Sequence, residues 1–203
     1  NGAVEKYNYN GGVMSVIKKG TGSSITGTVT RFRGVPSNKT MDLSNVTSYP
    51  ITAIGDSAFA CENESNDLTK VILPNTLEYI GDRAFFQTYN PTNNFDINKH
   101  LKIVTYKNNN GTEVLPSNSA YNSQYCILPD TVNYIGNYSF LNNAFRYVKF
   151  NQINYLGIAA FSVNPKRQKN TVNTVMNGKI EEFDIVNTSK INYKFILLQK
   201  LSF

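Results

Sequence analysis

"YIGDRAFFQ", residues 79–87, sets Gly81 between an apolar pair and an acidic residue and closes on Ala84 and Phe85. Near copies stand at 53–61 ("AIGDSAFAC"), 134–142 ("YIGNYSFLN") and 155–163 ("YLGIAAFSV"). Recurrence of this kind is the mark of a repeat architecture, and it governs the reading of the rest of the chain.

Upstream of the phrase the apolar residues follow a fixed order: Leu68, Val71, Leu73, Pro74, Thr76, Leu77, Ile80, Gly81, Ala84, Phe85. The same frame fits Cys126, Leu128, Pro129, Thr131, Val132, Ile135, Gly136, Ser139 and Phe140 position for position. A third copy runs from Phe145 through Val148, Phe150, Ile153, Leu156, Gly157 and Ala160 to Phe161, with one residue deleted and the proline lost. Two further copies keep only the strand half, at Leu101-Val104-Tyr106 and Ile180-Phe183-Ile185. With Val71, Val104, Cys126, Val148 and Phe183 as one column, the intervals are 33, 22, 22 and 35. The period is therefore 22, lengthened by about a dozen residues in two repeats.

Each feature of the unit has a physical role. Alternation at Val71 and Leu73 is strand periodicity, sending two side chains inward while Lys70 and Ile72 point away. The proline cannot donate to a ladder and ends the strand. Gly55, Gly81, Gly136 and Gly157 permit either a positive φ or a close approach by the neighbouring coil. Alanine keeps the corner narrow. Phe59, Phe85, Phe140 and Phe161 should then stack as an interior column, each ring worth roughly 1.5 to 3 kcal/mol relative to exposure. One 22-residue unit cannot cover its own apolar face, so the units must stack as a quasi-one-dimensional solenoid.

The stretches "LTKVILPNTLEYIGDRAFFQ" (68–87) and "YPITAIGDSAF" (49–59) carry a resemblance to the BspA-type leucine-rich repeat proteins. It covers roughly residues 41 to 185, departing at insertions near 86–100, 107–122 and 162–179. The resemblance implies a mainly β leucine-rich repeat solenoid, a right-handed coil of parallel strands joined by short turns or 3-10 segments. It also implies bacterial proteins that are secreted or held at the cell surface, several of them acting in adhesion to host matrix proteins or other microbes. The chain divides accordingly into an N-terminal β cap (1–40), the repeats (41–185) and a C-terminal capping segment (186–203). Residues 11–32 have β-branched residues on either side of Gly20-Thr21-Gly22 and predict a hairpin in the N-terminal cap. Ile191, Phe195 and Leu198 have helical spacing, whereas 195–198 is an apolar run that suits a strand equally well.

Bulk properties narrow the function classes. At 203 residues and 40% hydrophobic, the chain can bury a real core. No run approaches 18 apolar residues, so a membrane-spanning helix is not expected. The sequence starts at Asn1, and any leader peptide is expected either to have been removed or never to have belonged to this stretch of chain. Cys61 and Cys126 are read as buried thiols rather than a disulfide framework, and with His100 the only histidine, no metal, cofactor or nucleophilic site is expected. Asp56 and Asp82 occupy equivalent turn positions, where a carboxylate commonly bonds its local backbone. With no base beside a nucleophile and no phosphate loop, we expect no enzyme.

The net charge of +6 lies entirely in the second half: residues 1–100 carry nine Lys/Arg against nine Asp/Glu, and 101–203 carry eleven against five. Its densest point, Lys166-Arg167-Gln168-Lys169, lacks the glycine and aromatic pattern of a single-strand binder, so nucleic acid is not the expected partner. The expected partner is an extracellular or surface protein. Outward strand positions supply one candidate surface, with Ile72, Ile103, Tyr125, Ile127, Tyr147 and Lys149 side by side on one sheet face. The competing expectation is that an insertion folds over this face and makes it a second small core. A basic loop with Lys166, Arg167 and Lys169 is the other candidate.

Overall fold

In the computed structural model, the described residues are 2–9, 11–34, 36–60, 68–87, 101–162 and 182–185. They build thirteen strands: β1 (Val4–Tyr9), β2 (Gly12–Lys19), β3 (Thr26–Gly34), β4 (Thr40–Asp42), β5 (Ile51–Ile54), β6 (Lys70–Leu73), β7 (Tyr79–Ile80), β8 (Ile103–Tyr106), β9 (Tyr125–Ile127), β10 (Tyr134–Ile135), β11 (Tyr147–Phe150), β12 (Tyr155–Leu156) and β13 (Glu182–Ile185). Two short 3-10 turns, Gly22–Ser24 and Ser119–Tyr121, are the only helical elements described.

The strand halves of the repeats form one parallel sheet in the order β4-β6-β8-β9-β11-β13. Its register is the expected column: Val71 pairs with Val104, Val104 with Cys126, Cys126 with Val148, and Val148 with Phe183. Met41 extends it by one rung, pairing with Val71. The strand β4 was not foreseen, because a three-residue strand offers no alternation to read. It straddles the expected boundary between cap and repeats at residue 40.

The corner phrases form a second sheet, β1-β2-β3-β5-β7-β10-β12. Here the expected hairpin appears as β2 and β3, antiparallel, with β1 added along its edge. The sheet runs on without a break, because β3 pairs in parallel with β5. Hydroxyls of Tyr7 and Tyr49 converge on the Glu5 carboxylate, where Lys18 also reaches, and tie the cap to the loop before β5.

Between the sheets lies the aromatic column. Phe59, Phe85, Phe140 and Phe161 stack at 5.1, 5.0 and 5.1 Å between centroids, within 9° of parallel. Phe32 of the cap adds a fifth ring at 5.6 Å from Phe59. The amides of Phe32, Phe59, Phe85 and Phe140 each donate to the neighbouring corner, that of Phe85 to Ser139 O and that of Phe140 to Ala160 O, both at 2.7 Å.

The corner glycines serve close approach, not positive φ. A Cβ on Gly81 would lie 2.4 Å from Asp56 Oδ1 and 2.7 Å from its backbone nitrogen, and Gly136 and Gly157 are equally crowded by the preceding coil. The left-handed backbone falls instead two residues later, on Ser57, Arg83, Tyr138 and Ala159, with φ between 52° and 57°. That conformation disfavours any side chain, so its recurrence in every corner means the surrounding coil enforces it.

The two sheets do not keep step. Among the described residues strand β8 has no corner partner, and β7 pairs directly with β10, so Phe85 sits on Phe140 across 55 positions of sequence. On the strand side, β8 and β9 follow β6; on the corner side one step covers the same interval.

Candidate protein-binding surfaces

The outward columns of the strand sheet are covered. Tyr125, Ile127 and Tyr147 are 1 to 2% exposed and form a second apolar cluster with Ile103, Tyr106, Val114 and Tyr121. Ile72 is buried as well, and Ile103 and Lys149 are half-buried. The expectation of an open patch is therefore corrected, and the competing one, a second small core under an insertion, describes this face. The cover is the arm 107–122, which the spacing had marked as an insertion without showing where it lies.

The arm is built from local turn chemistry. Asn108 accepts from the amides of Asn110 and Thr112 through its side chain, and Gly111 takes φ 75°, so the asparagine run forms a tight turn. Thr105 Oγ donates to Val114 O at 2.6 Å, which lays the arm against β8. Two ion pairs fasten it: Lys70 to Glu113 and Lys107 to Asp42, each at 2.6 Å. Burial opposes ionisation of Asp42, but hydrogen bonds from Lys107 and Ser44 prevail and hold its carboxyl below the usual range. Arg146 lies over the Tyr121 ring at 5.4 Å and closes the far end.

Tyr147 donates to Asp184 at 2.9 Å, and Lys149 pairs with Asp184 at 3.1 Å. Burial, then the bond to Asp184, pushes the Tyr147 phenol up. Cys126 faces the interior as a free, buried thiol raised by desolvation alone. Lys166, Arg167 and Lys169, like Cys61, His100 and the segment 186–203, lie outside the described residues.

Open surface lies on the corner sheet. Tyr79, Tyr134 and Tyr155 pair in register on β7, β10 and β12, each one residue before a core residue, so all three point outward. Their rings stack at 4.5 Å, interplanar 15° and 12°. Tyr79 and Tyr155 are 37% and 39% exposed, and Tyr138 and Ile158 stand exposed beyond them. Sequence reasoning missed this row, although its signal was on the page: the quoted phrases begin with tyrosine in three copies and alanine in the fourth.

Beside the tyrosines runs a polar rail. Asp56 Oδ1 accepts from the amide of Asp82, Asp82 Oδ1 from that of Asn137, and Asn137 Oδ1 from that of Ile158, at 2.9, 2.7 and 2.8 Å. The expectation that these carboxylates bond their own turns is corrected: each caps the next coil. The Ile158 side chain has no acceptor to offer and ends the rail. Burial, then the charges of Asp56 and Asp82, raises the Tyr79 phenol.

Repeated parallel strands with a phenylalanine corner define a leucine-rich repeat protein. A family model, the BspA type leucine rich repeat region in six copies, matches residues 37–168 and 117–197, and the chain belongs to that family. No curated protein and no solved structure matches the chain.

Proposed function

We propose that the chain is a secreted or cell-surface protein-binding module acting in adhesion, with no catalytic step of its own. Crossovers between parallel strands are right-handed in nearly all proteins, which supports a right-handed solenoid as the scaffold. The observation that carries the reading is the exposed tyrosine row, since stacked aromatic side chains left open on a rigid sheet are the composition of interface cores. Family membership supports surface localisation and protein interaction as the general role.

The test is surface-based binding of the chain to a panel of extracellular matrix proteins, plasma proteins and glycans, at low and moderate salt. Saturable binding to one protein, lost on Tyr155→Ala with little change in melting temperature, is the expected result. A parallel variant lacking 166–169 reads the contribution of the basic segment. A second reading, a structural spacer or surface-layer component, gains support from the burial of the strand face; it predicts no binding across the panel.

A further inference from the structure

The tyrosine row is one ring short. Along the outward face of the corner sheet the paired residues are Thr28, Ala53, Tyr79, Tyr134 and Tyr155. Tyr134 has both ring faces occupied by its neighbours, so the middle of the row offers only edges and hydroxyls. Tyr79 differs, because its second face looks over Ala53. A methyl group there leaves a step between Thr28 and Tyr79 about two strand spacings wide, roughly 9.6 Å. That gap admits one flat or slender side chain lying against the ring.

Charge selects which one. Asp56, in the same coil as Ala53, is exposed and uses Oδ1 alone, accepting from Asp82 N. Glu78 and Asp82 stand one coil on, and none of the three carboxylates has an ion-pair partner among the described residues. On a chain of net charge +6, this is a local negative field beside a free aromatic face. Both features attract the same group, a cation held over a ring and against a carboxylate.

Resting on the protein-binding reading above, we propose that the step over Ala53, walled by Tyr79 and rimmed by Asp56, seats a lysine or arginine side chain of the protein partner. Arginine suits it better, since a planar guanidinium stacks on the ring while its edge meets the carboxylate. The raised Tyr79 phenol agrees with Asp56 and Asp82 lying within electrostatic reach of that ring.

The experiment titrates hexa-arginine into the full chain, followed by calorimetry and by chemical shifts of Ala53 and Tyr79. Ala53→Tyr is the decisive variant: it fills the step, extends the stack and leaves every charge in place. Asp56→Asn keeps the acceptor for Asp82 N and removes only the charge. The expected result is affinity about tenfold weaker in Ala53→Tyr and about fivefold weaker in Asp56→Asn, with melting temperatures unchanged. Equal affinity in Ala53→Tyr, or no binding by the parent chain, overturns the seat. If a panel protein binds the parent and Ala53→Tyr alike, the seat falls while the adhesion reading stands. Seating of hexa-arginine as expected with no panel protein bound keeps the seat and removes adhesion.

Discussion

At the residue scale, the corner makes two separate demands that a reader of the sequence would assign to one glycine. Gly81 meets the close approach, and Arg83 takes the left-handed turn. Gly81→Ala should therefore cost about 1 to 3 kcal/mol, because the crowding atoms are largely backbone and cannot swing away. Ala159→Gly should do the reverse, raising stability by about 0.5 kcal/mol once the relieved strain is set against the added freedom of the unfolded chain. Thermal unfolding of the two variants checks both signs. Replacing Asp82 by alanine should cost about 1 to 2 kcal/mol by stranding the amide of Asn137, whereas asparagine should cost much less. The chain already uses asparagine at the equivalent position 137.

At the element scale, the arm 107–122 decides what the strand sheet can do. Tyr147→Ala should cost about 3 kcal/mol or more, as a large ring leaves a closed cluster. The same substitution on an open patch would barely move the melting temperature. The ion pair from Lys107 makes the fastening acid-sensitive. Asp42 titrates below its ordinary value of 3.8 in the folded chain, so the unfolded chain binds more protons as pH falls through that range. Its contribution is whole above the unfolded pKa and is lost as pH falls through the folded one. Asp42→Asn should accordingly flatten the pH dependence of stability below about pH 5, measured by urea unfolding at several pH values. Spacing alone had shown which residues face outward in β6, β8, β9 and β11. It left open whether an insertion covers them, because Val114 and Tyr121 reach that face through a turn whose path no periodicity encodes.

At the scale of the whole molecule, the phenylalanine column and the register of the strand sheet were legible from the sequence because each is enforced by a repeated local pattern. The tyrosine row was equally periodic, yet a periodic tyrosine next to a core isoleucine reads as strand filler until the sheet shows it stacked and open. The rail from Asp56 to Ile158 was hidden for another reason: its bonds join different coils, and a turn residue is ordinarily read against its own turn. Phe140→Ala, stacked on both faces within the column, should cost about 3 to 5 kcal/mol, and Phe32→Ala, the terminal ring on the cap side of the described column, distinctly less. Equal losses in thermal unfolding would show that the column does not act as a stack.

The skip from β7 to β10 also sets an order of assembly. The corner sheet cannot extend past β7 by adding the next stretch of chain, since β10 lies beyond β8, the arm and β9. The strand sheet can grow one strand at a time, each closing a shorter loop than Phe85 and Phe140 would close unaided. Zippering should therefore run ahead on the strand side and pause until β9 brings β10 into place. Stopped-flow refolding should show that substitutions in β8 slow the folding arm of the chevron, while those in β12 chiefly speed unfolding.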